Sequence, residues 1–146
     1  GKDLTDLVKY IHNILLLCDE IIFPDQLKYL AAGGRLSKTK GFFGDLLSLK
    51  PVIRPAPHGV QRLGVVKNRE AQIEFALDYL AKHLSGVPAE ILIEHTDNRE
   101  WVLYEAKPRI EALLPAARII LQPMSLTSGV HLGPGAWGVA FLPLKV

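Results

Sequence analysis

Cysteine is nearly absent from this sequence: Cys18 stands alone among 146 residues, so no internal disulfide can form and no C-x-x-C pair offers metal-ligand spacing. A lone thiol of this kind is expected to be a small core residue rather than a reactive group. Long apolar runs are missing too. Ile14–Leu17 and Ile119–Leu121 fall far short of the roughly 18 residues that a membrane-crossing helix needs. Residues 1–17 open Gly-Lys-Asp-Leu-Thr-Asp with no small-residue cleavage pattern, so no secretory signal is read and the expected setting is the cytoplasm. Neither sign of charge dominates. Lys and Arg number 17 against 15 Asp and Glu, a net +2 with the two signs interspersed. A basic stripe is therefore lacking, aromatics do not alternate with Arg and Lys, and nucleic acid is excluded as an expected partner. The chain also lacks G-x-S-x-G, a P-loop, H-E-x-x-H and any Cys/His/Asp cluster at metal spacing. No catalytic residue, metal ligand or cofactor is assigned, and the chain is not expected to be an enzyme.

What the sequence does hold is apolar material, 49% of its residues, in a length suited to one core and one domain spanning 1–146. Leu4, Leu7, Val8, Ile11 and Leu15 recur at helical spacing behind Asp3, which predicts an amphipathic helix over 4–17 lying on a sheet. Glu20–Phe23 reads as a short buried strand, and Pro24-Asp25 opens a helix through Leu27, Leu30 and Ala31 that Gly33-Gly34 stops. Ser37 is placed to cap a third helix, in which Gly41 and Gly44 flank Phe42-Phe43. From Lys50 to Val66 the β-branched pattern split by Pro57-His58-Gly59 predicts a β-hairpin. Asn68 is placed to cap a long helix with Ile73, Ala76, Leu77, Leu80 and Leu84 on one face, ended by Gly86 and Pro88. Glu90–Glu94 alternates as a strand, and Asp97 or Asn98 starts a helix that Pro108 should break or kink. Arg118–Gln122 is a further strand, Ser125–Gly135 a polar, glycine-rich loop, and Ala136–Leu142 the last strand. A hairpin mixed with strand-helix-strand units implies an α/β or α+β fold with one mixed sheet flanked by helices.

Two stretches stand out as candidate binding elements. In Ser128-Gly-Val-His131-Leu-Gly133-Pro-Gly135, the two glycines around Pro134 bring main-chain N–H groups close to whatever sits beside His131, as a carboxylate site requires. A plain turn feeding the last strand accounts for the glycines equally well. In Gly33-Gly34-Arg35-Leu36-Ser37, glycines at a helix end followed by Arg and Ser can present a guanidinium fork to an acid. An ordinary helix stop followed by a solvated Arg is the competing account. His12, His58, His83 and His95 are given no role.

Read together, Leu27-Lys-Tyr-Leu30 before Gly33-Gly-Arg-Leu-Ser37, then Leu46-Leu-Ser-Leu-Lys50-Pro51, then His131-Leu-Gly-Pro-Gly135 resemble the successive signatures of the DegV family. The Pro57-His58-Gly59 turn and the basic Lys67-Asn-Arg69 segment fall where that family places a hairpin turn and the start of the next helix. The resemblance covers residues 20–142. It implies the C-terminal domain of a two-domain, non-catalytic carrier that holds one long-chain fatty acid and presents its carboxylate to a separate fatty acid kinase. Carried over to this sequence, Arg35 and His131 would lie near the carboxylate. Ser37, Gly133 and Gly135 belong to the same motifs, and Phe42, Phe43, Leu46 and Leu47 are candidates for lining the acyl chain. The family's N-terminal domain, which also contributes to the carboxylate site, is not represented in these residues, and Leu132 stands where a polar residue is common. A second reading keeps the fold without the ligand, as an interaction, homodimerising or regulatory module. A third makes His131 the general base of an enzyme acting on a small acid.

Overall fold

A computed structural model describes residues 3–34, 50–56, 59–84 and 86–144. Among these residues, six strands form one mixed sheet in the order β3-β2-β1-β6-β4-β5. The strands are β1 (Asp19–Phe23), β2 (Lys50–Ala56), β3 (Gly59–Val66), β4 (Ala89–His95), β5 (Arg118–Pro123) and β6 (Trp137–Pro143). Strands β4 and β5 run parallel, joined by a helical crossover, and every other pairing is antiparallel. The mixed sheet with flanking helices expected from the sequence is therefore present, as is the β2–β3 hairpin, whose Pro57-His58 tip lies outside the described residues. Strand β1 meets β2 at one register pair, Ile22 opposite Ile53, and a ladder this sparse tolerates Pro51 and Pro55 inside β2.

Alternation along the strands divides the core in two. Ile21 and Phe23 of β1, Ile91 and Ile93 of β4, and Trp137, Val139 and Phe141 of β6 point to one face. There they meet α3 (Arg69–Leu84), which buries Gln72, Ile73, Ala76, Leu80 and Leu84 behind its Asn68 cap; Asn68 Oδ1 accepts from the Ala71 N–H at 2.9 Å. Beside α3 lies a continuous helical segment made of α4 (Arg99–Trp101), a π-helical turn (Val102–Ala106) and α5 (Lys107–Leu113). Pro108 neither breaks nor ends this segment. It sits in the first turn of α5 behind the widened π turn, where a missing N–H costs little, and Val102, Ala106 and Ile110 stay on the buried side. The opposite face carries a smaller cluster: Ile22, Ile53, Met124 and Ala136 with Leu30 of α2 (Leu27–Ala32) and Leu132 of α6 (Leu126–Leu132).

Three expectations are corrected. The first helix, α1 (Leu4–Leu15), forms where its periodicity and the Asp3 cap put it, with Asp3 Oδ1 accepting from the Asp6 N–H at 2.9 Å, yet it does not lie on the sheet: none of its residues is buried. Periodicity states that a face calls for cover, not which surface supplies it. Cys18 is exposed rather than in the core, its thiol directed to the Ile14 carbonyl. The stretch 125–135, read as a loop, is mostly helical: Ser125 Oγ caps α6 by accepting the Ser128 N–H at 3.1 Å, and only the end at Gly133-Pro-Gly135 turns. Its helical period was hidden because Leu126 and Val130, one turn apart, face outward, at 89% and 72% exposure. No helix among the described residues is long and apolar enough to cross a membrane.

Candidate functional site

Strands β1, β4 and β5 share one direction, so their carboxyl ends gather at one edge of the sheet, beside the amino end of β6. Open mixed sheets place ligands at such an edge, because the chain leaves the strands there and its loops are free to vary. From β1 the chain turns through Asp25 into α2, which carries Tyr29 and ends at Gly33; from β5 it enters α6, which carries His131. The two short helices pack against each other, and that contact brings the two sequence motifs together.

The contact is made possible by glycine. A Cβ placed on Gly33 would lie 2.1 Å from His131 Nδ1, so the imidazole rests directly on the glycine backbone. On the other side, a Cβ on Gly133 would lie 2.1 Å from the Tyr29 ring, and Gly133 has φ +75°, a conformation that L side chains rarely adopt. Each motif thus supplies the small residue on which an aromatic ring of the other is seated. His131 Nδ1 is buried in this contact and has no hydrogen-bond partner among the described residues, a condition that ordinarily costs about 1–3 kcal/mol.

Next to this contact an open cleft of about 470 Å³ runs between α2, α6 and the ends of β4 and β5, with Tyr29, His95, Met124, Leu126, Val130 and Pro134 among its lining residues. Its wall is mainly apolar. His95, only 6% exposed, donates from Nδ1 to the Thr96 carbonyl at 2.9 Å, which fixes its tautomer when neutral. Leu132, standing where a polar residue was expected to be common, is buried in the smaller core cluster, so the position serves packing here.

The Gly-Pro-Gly end of the motif is held by the segment that follows β4. Asp97 Oδ1 accepts the Gly135 N–H at 2.6 Å, Asn98 Nδ2 donates to the Gly135 carbonyl at 3.1 Å, and the Thr96 N–H and hydroxyl both donate to the Ala136 carbonyl at 3.1 Å. The hydrogen bond from Gly135 chiefly, with the nearby Thr96 hydroxyl and Arg69 guanidinium, holds the Asp97 carboxyl below its ordinary value of 3.8. Asp97 or Asn98 was expected to start the next helix, and Asn98 does stand at its cap position, but without a side-chain cap bond: both side chains are spent on the Gly135 turn. Two adjacent Asx residues where one cap suffices are the signal that sequence reasoning passed over.

Of the residues singled out from sequence, His131, Gly133 and Gly135 lie together at this edge. Arg35, Ser37, Phe42 and Phe43 lie outside the described residues, with Gly33-Gly34, immediately before Arg35, in place at the His131 contact. Gly33 was anticipated as part of the Gly-Gly-Arg stretch, whereas Tyr29, Asp97 and Asn98 are members of the site to which sequence reasoning gave no role. No group of three or more His, Cys, Asp or Glu side chains is arranged to hold a metal among the described residues.

Comparisons with known proteins bear on the family and the fold. The model of a family described as "Uncharacterised protein, DegV family" matches residues 1–144. A DegV domain-containing protein of Caldanaerobacter subterraneus subsp. tengcongensis is 28% identical over 142 residues, 97% of this chain and 50% of that protein. Among solved structures, DegV of Bacillus subtilis, described as a fatty acid binding protein, superposes with TM-score 0.82 at 24% identity, covering 97% of this chain and 50% of its own. The Streptococcus pneumoniae Fatty Acid Kinase (Fak) B3 protein, solved loaded with linoleic acid, superposes with TM-score 0.83 at 19% identity, over 99% of this chain and 51% of its own. The chain thus spans about half the length of the relatives it matches.

Proposed function

Because the chain belongs to the DegV family, we propose that it is the C-terminal lipid-binding domain of a carrier that holds one long-chain fatty acid and presents its carboxylate to a fatty acid kinase. The observation that carries this reading is the seat of His131: a ring placed on Gly33 with Nδ1 buried and unpartnered among the described residues, next to Tyr29 and Gly133, which line an apolar cleft; we assign the ligand to its other nitrogen, Nε2. A fatty acid asks for that combination, a hydrogen-bond donor for the carboxylate and an apolar wall for the chain. His131 and Arg35 receive the carboxylate, with Ser37 and the Gly133-Pro-Gly135 backbone beside them, and Phe42 and Phe43 line the chain. In this reading the protein holds its ligand and does not transform it.

The remaining part of the site we place on an N-terminal domain. The relatives run to about twice this length, and α1 offers an uncovered apolar face, with Leu4, Val8, Ile11 and Leu15 exposed, on which such a domain can dock. Native mass spectrometry of the purified protein tests the proposal. A fatty acid adduct in the parent that is lost in His131→Ala and Arg35→Ala supports it. Absence of any adduct after incubation with oleate contradicts binding by this chain, and a homodimer joined through α1, abolished by Leu7→Glu with Ile11→Glu, favours the interaction-module reading instead.

A further inference from the structure

Nothing in the fatty acid reading gives a role to the residues that follow β4, yet they make four hydrogen bonds to Gly135, which ends the His131 motif, and to Ala136 directly after it. We infer that Asp97 and Asn98 are positioning residues: they grip Gly135 from both sides and thereby fix the turn that seats His131 on Gly33. The inference rests on that reading for its ligand but on geometry alone for its mechanism.

The argument starts from the path of the chain. His131 is the penultimate residue of a helix of seven, too short to hold itself in place, and two residues later the backbone passes through the left-handed region at Gly133 and again at Gly135, φ +79°. Glycine at those positions permits the turn and also loosens it, since glycine has the most conformational freedom to lose. Something must supply the order. Asp97 takes the Gly135 N–H and Asn98 the Gly135 carbonyl, so both polar groups of one residue are bound to adjacent side chains. The space around Gly135 is closed as well: a Cβ there would lie 3.0 Å from the Asp25 side chain and 3.4 Å from Arg69.

The clamp is itself anchored in the large core. Arg69, beside Asp97, lies over the Trp101 ring at 4.6 Å from its centroid. Trp101 meets Trp137 edge-on at 5.5 Å, and Trp137 stacks on Phe23 at 4.5 Å while its indole N–H donates to Gln72 at 3.0 Å. Position is therefore handed from the buried face of the sheet through Trp101 to Arg69, which borders the space at Gly135, and from there along two residues of turn to Gly133, Tyr29 and His131. Asp25, paired with Lys50, closes the same ring from the β1 side.

The test compares Asp97→Ala, which removes the acceptor, with Asp97→Asn, which keeps an oxygen of the same reach. Oleate affinity is measured for each in the parent and in a His131→Ala background. A positioning role predicts that Asp97→Ala weakens oleate binding about fivefold in the parent, that Asp97→Asn recovers most of it, and that Asp97→Ala adds nothing once His131 is gone. An equal loss in both backgrounds, or none in either, overturns the role. A second readout needs no ligand: the nuclear Overhauser contact between the His131 ring and the Gly33 α-protons is lost in Asp97→Ala while the Trp137–Phe23 contacts persist. If the parent binds no oleate, the fatty acid reading fails, and the Overhauser contact alone decides the clamp, its retention in Asp97→Ala overturning it.

Discussion

The two faces of the sheet are built differently. Under α3 and α5 the strands present an unbroken apolar layer, with Ile21, Phe23, Ile91, Ile93 and Trp137 all buried. On the other face, Ala140 of β6 pairs with Glu20 on one side and Leu92 on the other, and Glu90 and Glu94 flank Leu92 along β4; burial, aided by nearby Glu94 and Asp19, lifts the Glu20 carboxyl above its ordinary range. Arg118 and Gln122 of β5 bind Glu90 at 2.8 Å and Glu94 at 3.2 Å across the parallel pair. The apolar cluster on that side is small, and it ends in the two short helices that carry the site. The difference teaches a division of labour: one face supplies stability, and the other, less committed to packing, has surface available for a ligand and a partner.

Substitutions should separate the two faces, most strongly on the closed one. Trp137→Ala empties a fully buried position and strands Gln72, and is expected to cost about 3–5 kcal/mol in urea unfolding. Gly133→Ala comes next, at about 2–3 kcal/mol, because a side chain there meets both a positive φ and the Tyr29 ring. Gly33→Ala is the most informative: its φ of −77° suits alanine, so the clash with the His131 ring alone should cost about 1–2 kcal/mol in unfolding, while the displaced ring lowers oleate affinity about tenfold. If Gly33→Ala destabilised the fold as much as Trp137→Ala, the division between faces would fail.

Two titrations sharpen the comparison with smaller effects. On the site face, Asp97 is held below 3.8 chiefly by the Gly135 N–H, with Thr96, Arg69 and, across Gly135, Asp25 as its polar neighbours. A carboxyl lowered in the folded state stabilises above its unfolded value, and that contribution fades as pH falls through the folded one. The melting-temperature advantage of the parent over Asp97→Asn should therefore shrink in acid, by a small amount because the side chain is exposed. Beside the closed face, burial first, then the 2.5 Å hydrogen bond to Asp19, pushes the Tyr79 phenol up to about 12. In tyrosinate absorbance Tyr79 should titrate well above the ordinary tyrosine value, and its contribution to stability, complete below the unfolded value near 10, should be lost as pH rises toward 12. Asp19→Asn should bring that titration down.

The closed face was the legible one. Its helix α3 repeats Ile73, Ala76, Leu80 and Leu84 at core spacing behind an Asn cap, and β4 alternates, so period and burial coincide. The site face was legible as motifs but not as shapes. Helix α6 shows outward leucine and valine rather than an inward stripe, so its period had no buried partner to reveal it. Asp97 and Asn98 bind Gly135, 38 and 37 residues away respectively, a distance at which local capping rules choose the nearer but wrong partner. The resting place of α1 and the exposure of Cys18 depend on what covers them, which the pattern of one helix does not encode.

The central claim is that His131, seated on Gly33, meets the carboxylate of a fatty acid. Its most direct test is the nuclear magnetic resonance of the His131 ring nitrogens during a titration with oleate. The account predicts that Nε2 shifts as oleate binds, that Nδ1 stays on Gly33, and that the shift disappears in Gly33→Ala. A ring that does not respond while oleate binds would contradict it.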